Sequence, residues 1–172
     1  ERINHCNIAV KFDRGFCVYF NNLYTSYCPT ALSVSYSIKA VFDTCNFGIN
    51  NTDQRLITGG SVNLLKFTGC NFENDETLTT AREIIRIVSG NTTFESCTFR
   101  VTLAENVYMF AGYSGGSATF NGCRYYTNDS TYDINFFKAS NPVGSQWSGK
   151  GELKLINTDI PRPSLSAAYT FC

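Results

Sequence analysis

One six-residue frame, apolar-x-x-Cys-x-apolar, recurs along this chain of 172 residues. The four clear copies are centred on Cys45, Cys70, Cys97 and Cys123. Their regular interval, about 26 residues, is typical of chains that stack one small unit repeatedly. Weaker copies are Ile3–Ile8, around Cys6, and Leu155–Ile160, where Thr158 takes the Cys position. The wider intervals that separate these two copies from the others fit one turn plus an insertion.

The repeat predicts an all-β fold, a right-handed parallel β-helix of about six turns. The period is too short for tetratricopeptide or ankyrin repeats, which need about 33–34 residues. Each unit reads as strand, turn, strand, polar corner and short strand. We expect the β-helix domain to cover residues 1–160, with 1–35 less regular, and residues 161–172 to leave it as a tail. The segment 80–88 also has helical spacing, but its place in the repeat favours a strand.

Stacking places equivalent side chains of successive turns directly above one another, about 4.8 Å apart. The Phe three residues before each Cys then forms a first Phe ladder, made of Phe42, Phe67, Phe94 and Phe120. The residue two after each Cys forms a second aromatic ladder, made of Phe47, Phe72, Phe99 and Tyr125. Each ring that leaves water contributes roughly 1.5–3 kcal/mol, so the ladders are the predicted core.

Eight cysteines could form a disulfide framework or remain free. Neighbouring Cys of the repeat lie one strand spacing apart, but their parallel Cβ vectors do not converge well on a disulfide. We therefore expect free, interior, stacked thiols at Cys45, Cys70, Cys97 and Cys123. The pattern leaves Cys17, Cys28 and Cys172 unassigned. Mostly free thiols fit assembly in a reducing cytoplasm.

Charge and motif content narrow the function classes. Lys and Arg total 14 and balance 14 Asp and Glu, which argues against a nucleic-acid partner. No apolar run is long enough to predict membrane insertion. No metal-ligand spacing occurs, so neither a metal nor another cofactor is expected. His5 and Cys6 are adjacent on a predicted strand, where His5 is expected to point outward and Cys6 into the interior column of the repeat, and these opposite directions argue against a catalytic dyad.

The acidic cluster at residues 73–76 is the candidate catalytic site. Glycoside hydrolysis needs two carboxylates roughly 5–10 Å apart, one of them with a raised pKa. Glu73, Asp75 and Glu76 supply candidates, with Glu95 or Asp43 from neighbouring turns as further partners. A Ca²⁺ site and a solvated turn remain open alternatives.

Aromatic side chains near turns are the candidate carbohydrate-binding residues, because sugars stack on exposed rings beside hydrogen-bonding groups. Trp147 lies in the insertion 141–151, and Tyr113, Tyr126 and Tyr132 lie near predicted turns. For Trp147, packing against the turn as a loop anchor remains open. The Tyr-rich stretch Tyr19–Tyr36 is a second candidate aromatic surface or a subunit contact.

The F-x-x-C-x-F turns, the SGNTTF segment at Ser89–Phe94 and the aromatic ladder resemble the β-helix of pectate-lyase-like proteins, specifically of bacteriophage tailspikes. The resemblance covers residues 36–160. It implies a homotrimer that binds bacterial surface polysaccharide and often cleaves it with paired carboxylates. It also implies a virion tail location after assembly in the host cytoplasm, with an extracellular protein as the alternative. No catalytic motif of that family is recognisable here, so no catalytic residue is carried over.

Three functions are therefore compatible with the sequence. The first is a segment of a tailspike-like adhesin that binds, and in some cases depolymerises, surface polysaccharide. The second is a hydrolase or lyase domain with its own carboxylate active site. The third is a structural or trimerisation segment without a ligand.

Overall fold

The structure is a computed structural model, and it describes residues 1–48, 57–73, 82–103, 105, 107–112, 117–131, 136–137, 152–160 and 170–171. Strands dominate this part of the chain, and every strand pairing in it is parallel. Among the described residues, no helix has the length and hydropathy needed to span a bilayer.

A narrow sheet of six short strands forms one face of the molecule. Its strands, in order of pairing, are β1 (Arg2–Asn4), β4 (Tyr24–Ser26), β7 (Asn46–Gly48), β9 (Asn71–Glu73), β11 (Thr98–Arg100) and β14 (Arg124–Tyr126). Neighbours in this sheet are one turn apart in the chain, which is the pairing that a parallel solenoid requires.

A wide sheet of ten strands forms the other two faces. Its first limb contains β2 (Ile8–Phe12), β5 (Thr30–Val34) and β12 (Val107–Gly112). Its second limb contains β3 (Gly15–Asn21), β6 (Ser37–Asp43), β13 (Ser117–Asn121), β15 (Leu153–Ile156) and β16 (Thr170–Phe171). Two long strands, β8 (Ile57–Thr68) and β10 (Arg82–Glu95), run through both limbs. In β10 the register shifts beside Gly90, whose φ is 87°, a value that glycine adopts readily.

The predicted all-β parallel solenoid is confirmed, and residues 82–88 of the segment with helical spacing lie in strand β10, while residues 80 and 81 lie outside the described residues. The number of turns differs slightly from the expected six, at about four. Four of the six narrow strands, β4, β7, β9 and β11, have a neighbour on both sides, whereas β1 and β14 have one. Strand β16 lies within the predicted tail and pairs with β15.

A left-handed residue makes the sharp corner between the wide and narrow sheets. The residue before the Cys position has φ between 47° and 63° at six described corners, namely at Asn22, Thr44, Gly69, Ser96, Gly122 and Asn157. Only glycine, and to a lesser degree Asn, adopts this conformation at little cost. The strain at Thr44 and Ser96 is offset because the corner amides continue the interturn hydrogen bonding, at 2.9 Å and 2.8 Å.

The first Phe ladder is present as predicted. Ring centroids of successive members lie 5.3, 5.0 and 4.7 Å apart from Phe42 through Phe67 and Phe94 to Phe120, and all four rings are fully buried. In the second aromatic ladder, Phe72 stacks on Phe47 at 5.2 Å and on Phe99 at 4.9 Å. Tyr125 continues that ladder in register with Phe99 but is only partly buried.

Cys45, Cys70, Cys97 and Cys123 form a thiol column in the interior, with 0–1% of each residue exposed. All four are free thiols, as predicted. Each sulfur lies within hydrogen-bond distance of the carbonyl of a ladder Phe in the preceding turn; for Cys97 the acceptor is Phe67, at 3.5 Å. A thiol fits this position because it is small and can donate a weak hydrogen bond at a tight bend.

The prediction that Cys6 belongs to this column is wrong. Leu23 lies next to Cys45 in the narrow-sheet register and takes the Cys position of the earlier turn. The corresponding ladder ring is Phe20, which stacks on Phe42 at 5.3 Å. The stretch from Leu23 to Cys45 is therefore one short turn by itself, so the interval from Cys6 to Cys45 is not one turn with an insertion. By contrast, Thr158 does follow Cys123, and its hydroxyl donates to the Cys123 carbonyl at 2.8 Å.

Candidate functional site

The outward surface of the second limb has an open groove with a volume of about 410 Å³. We call it the Tyr19 groove, and it is lined by Tyr19, Lys39, Val41, Asp43, Leu64, Lys66 and Thr68. These residues come from strands β3, β6 and β8, which are neighbours in three successive turns. The groove therefore crosses the strands along the stacking direction of the solenoid.

Strand alternation explains why these side chains face outward. Phe20, Phe42 and Phe67 are paired across the three strands and point into the core. Because successive side chains on a strand point to opposite faces, the flanking Tyr19 and Lys66 point to solvent. The Tyr19 ring is 60% exposed, so it presents a large aromatic surface beside the groove.

Asp43 is a polar group of the groove that three hydrogen bonds hold in place. Its Oδ2 accepts hydrogen bonds from the Tyr19 hydroxyl at 2.8 Å and the Asn21 amide at 3.1 Å. Its Oδ1 accepts a third from the Thr44 hydroxyl at 3.1 Å. These bonds, with the one from Tyr19 the largest cause, hold the pKa of Asp43 below its usual range. Asp43 is thus a fixed, ionised acceptor at the edge of the groove.

Lys66 brings a positive charge into the same groove. Its Nζ lies 2.7 Å from Oε2 of Glu95, which belongs to the next turn. Both side chains keep about a third of their surface exposed, at 32% and 37%. An ion pair this exposed contributes little to stability, so its charges remain accessible for contact with a polar ligand.

The candidate catalytic residue Glu73 lies elsewhere, on β9 of the narrow sheet. Its two carboxylate oxygens accept hydrogen bonds from the side-chain amides of Asn46, at 3.0 Å, and Asn71, at 2.8 Å. Asp43 and Glu95, its suggested partners, lie on the wide sheet beyond the corner. The other two members of the acidic cluster, Asp75 and Glu76, lie outside the described residues.

Of the candidate carbohydrate-binding residues, the structure describes only Tyr126, at the end of β14. It is 51% exposed and belongs to the narrow sheet, on a different face from the Tyr19 groove. Trp147, Tyr113 and Tyr132 lie outside the described residues.

The side chains of His5 and Cys6 have separate partners, although the two residues lie at a corner after β1, where His5 has a φ of 55°, and not on a strand as predicted. The His5 ring stacks on Tyr27 with centroids 5.1 Å apart, and the Cys6 thiol donates to the Asn4 carbonyl. Cys6 is exposed, so its expected interior position is wrong. The described residues contain no group of three or more side chains suited to holding a metal ion.

Sequence reasoning named Asp43 only as a partner for the acidic cluster, included Tyr19 only within a Tyr-rich stretch, and missed Lys39 and Lys66. These residues were missed because the sequence pattern did not reveal the short turn that ends at Cys45. Once Phe20 is aligned with Phe42, the outward positions Tyr19, Val41 and Lys66 fall in one row.

The chain was compared with protein-family models, with curated proteins and with solved structures, and none of the three comparisons gave a match.

Proposed function

We propose that this chain is a segment of a tailspike-like adhesin and that the Tyr19 groove binds a bacterial surface polysaccharide. The observation that carries the proposal is the composition of the groove, which joins an exposed tyrosine ring and apolar side chains to a fixed carboxylate. Sugar rings have apolar C–H faces and a rim of hydroxyl groups. Sites with an aromatic surface and a few well-placed polar groups suit both features.

The direction of the groove favours a polymer over a single sugar. Tyr19, Asp43 and Thr68 belong to three successive turns, and turns repeat about every 4.8 Å. An extended chain along the stacking direction would therefore meet similar backbone positions at each turn. Leu64 and Val41 supply apolar contact in the middle of this path.

The geometry favours binding over cleavage. Glycoside hydrolysis requires a carboxyl group that is protonated and can donate to the leaving oxygen. Hydrogen bonds to Asp43 stabilise its ionised form, so it suits the role of acceptor for sugar hydroxyls. Glu73 is engaged by two Asn amides on the other sheet. We therefore propose a binding segment without its own hydrolase or lyase activity in the described groove.

The proposal implies a homotrimer carried on a phage tail and assembled in the host cytoplasm, or alternatively an extracellular protein. Light scattering on the purified chain tests the assembly directly. A mass of three chains supports the phage adhesin. A monomer would contradict the trimeric assembly and would leave only the proposed sugar binding by the groove.

Titration of the full chain with bacterial capsular and O-antigen oligosaccharides tests the binding. We expect Tyr19→Ala to weaken binding about tenfold, because the ring's stacking surface and its bond to Asp43 are both lost. Asp43→Asn should weaken binding to a similar degree while preserving shape. The matched control is Tyr36→Ala, which removes a ring that is 70% exposed and does not line the groove.

Three results would contradict this proposal. One is failure of the folded wild-type chain to bind any oligosaccharide of the panel. A second is equal loss of binding in Tyr19→Ala and Tyr36→Ala. A third is binding that survives Tyr19→Ala but disappears in Tyr126→Ala, which would move the site to the narrow sheet.

A further inference from the structure

Cys6 and Cys28 are neighbours in two adjacent turns and lie outside the thiol column. The register of β1 on β4 pairs Asn4 with Ser26, and continuing it by two residues aligns Cys6 with Cys28. The intervening pair, His5 and Tyr27, keeps this register, because the two rings stack 5.1 Å apart. Both cysteines are reduced, Cys6 being exposed and Cys28 only 2% exposed.

The sulfur of Cys28 already lies close to the backbone of Cys6. The Cys6 amide donates a hydrogen bond to that sulfur at 3.4 Å. Adding the N–Cα bond of about 1.46 Å places the Cys28 sulfur within about 4.9 Å of the Cys6 Cα. A disulfide joins Cα atoms usually 4.4–6.8 Å apart, a range that includes the spacing of paired strands. Because the Cβ vectors of in-register neighbours run parallel and do not converge on a disulfide by themselves, bonding requires rotation of the exposed Cys6 side chain together with a small shift of the backbone that follows β1, which has one described neighbour in its sheet.

We propose that Cys6 and Cys28 are an oxidation site that forms a disulfide between the first two turns when the chain meets a peroxide. The Cys6 thiolate attacks one oxygen of hydrogen peroxide, the O–O bond breaks, and Cys6 becomes a sulfenic acid while one water is released. The Cys28 sulfur then attacks the Cys6 sulfur, the S–S bond forms and a second water leaves. Two thiols lose two electrons, and the peroxide accepts them.

The other described cysteines lack this combination of access and a neighbouring thiol. Members of the thiol column are stacked but have at most 1% of their surface exposed, so an oxidant has no route to them. Cys17 is exposed, but its register partner on β6 is Lys39. Access through Cys6 is therefore what makes the pair with Cys28 reactive.

The experiment treats the reduced full chain with a slight excess of hydrogen peroxide, then alkylates the remaining thiols and maps peptides by mass spectrometry. We expect the eight thiols of the chain to fall by two, with the peptides of Cys6 and Cys28 joined. Closing this loop should raise the Tm by about 5–10 °C. Cys6→Ser should lose both effects, and the matched control Cys17→Ser should keep them.

Retention of all thiols after peroxide treatment would overturn the inference. So would a different pairing, or overoxidation of Cys6 with Cys28 still reduced. A disulfide that still forms in Cys6→Ser would also reject it. None of these outcomes depends on sugar binding, so this test stands apart from that of the Tyr19 groove.

Discussion

The first turns and the central turns of this solenoid contain different numbers of residues but share the same ladder of stacked rings. The turn from Leu23 to Cys45 is shorter than each of the turns that separate Cys45, Cys70, Cys97 and Cys123. The Phe20–Phe42 stacking distance is nevertheless the same as the Phe42–Phe67 distance, 5.3 Å. The extra residues of the central turns are therefore accommodated away from the ladder. The spacing between successive turns is therefore set by interturn hydrogen bonds and ring stacking, and not by the number of residues in a turn.

The residue at the corner differs between the same two regions. Leu23 fills the position in a short turn, and Cys45 and its successors fill it in the longer ones. Both kinds of residue are at most 4% exposed. From Leu23 to Cys123 the position therefore holds a buried apolar group of fitted size, and the thiol is one solution among at least two; at Thr158, the last described corner, it is only partly buried.

The largest expected effect concerns the ladder itself. Phe94→Ala should lower the free energy of unfolding by about 3–5 kcal/mol, because the ring is fully buried between Phe67 and Phe120. Phe20→Ala should lower it by about 1–2 kcal/mol, since Phe20 is only partly buried. Urea unfolding of both variants provides the measurement. Equal losses would show that the first turn is packed as tightly as the centre.

A smaller effect is expected from exchanging the corner residues. Cys97→Leu should destabilise the chain by about 1–3 kcal/mol, because it forces extra volume into a fully buried position. Leu23→Cys should cost about 1–2 kcal/mol through lost apolar contact. If either substitution leaves the urea midpoint unchanged, the two corners are interchangeable and the fitted-size explanation fails.

The smallest expected effect is on the pH dependence of the free energy of unfolding, which should distinguish the turns with a corner thiol from the turn with Leu23. Burial away from water, reinforced by the adjacent Cys123 and Cys70 thiols, raises the pKa of Cys97. Its contribution to stability is therefore complete below the unfolded thiol pKa of about 8.5. That contribution is lost as the pH rises from there through the folded pKa, by up to about 1.4 kcal/mol per pH unit.

Free energies of unfolding measured between pH 7 and pH 10 test this linkage. Wild type should lose more stability over that interval than Cys97→Ala, whereas Leu23→Ala should follow the wild-type slope because no thiol is removed. If the free energies of unfolding of wild type and Cys97→Ala fall in parallel with pH, Cys97 is not the cause of the stability lost at alkaline pH.

Much of the core was predictable because its signal is local and repeated. Phe67, Phe94 and Phe120 each precede a Cys by the same three positions, so one frame locates the ladder, the corner and the buried thiols. Cys6 misled the same reasoning, since it lies between apolar residues at the expected offsets but belongs to another corner. Only the pairing of Ile3 with Thr25, which in turn pairs with Phe47, reveals the true phase.

The candidate site was less predictable, because its residues are distant in sequence and share no motif. Tyr19, Asp43 and Lys66 meet only after three turns of unequal length are brought into register. The acidic cluster was the more visible pattern, yet its described member Glu73 bonds to two Asn amides on another face.

The sequence alone determined that the chain stacks into a parallel β-solenoid with interior columns of rings and thiols, since burial of those side chains requires that repeat. The tertiary structure decided which outward side chains become neighbours, because a shift of one residue in strand register moves the side chains of that strand to the opposite face. The same register brings Cys6 beside Cys28 and Tyr19 beside Asp43. The spacing of these residues in the sequence does not predict either contact.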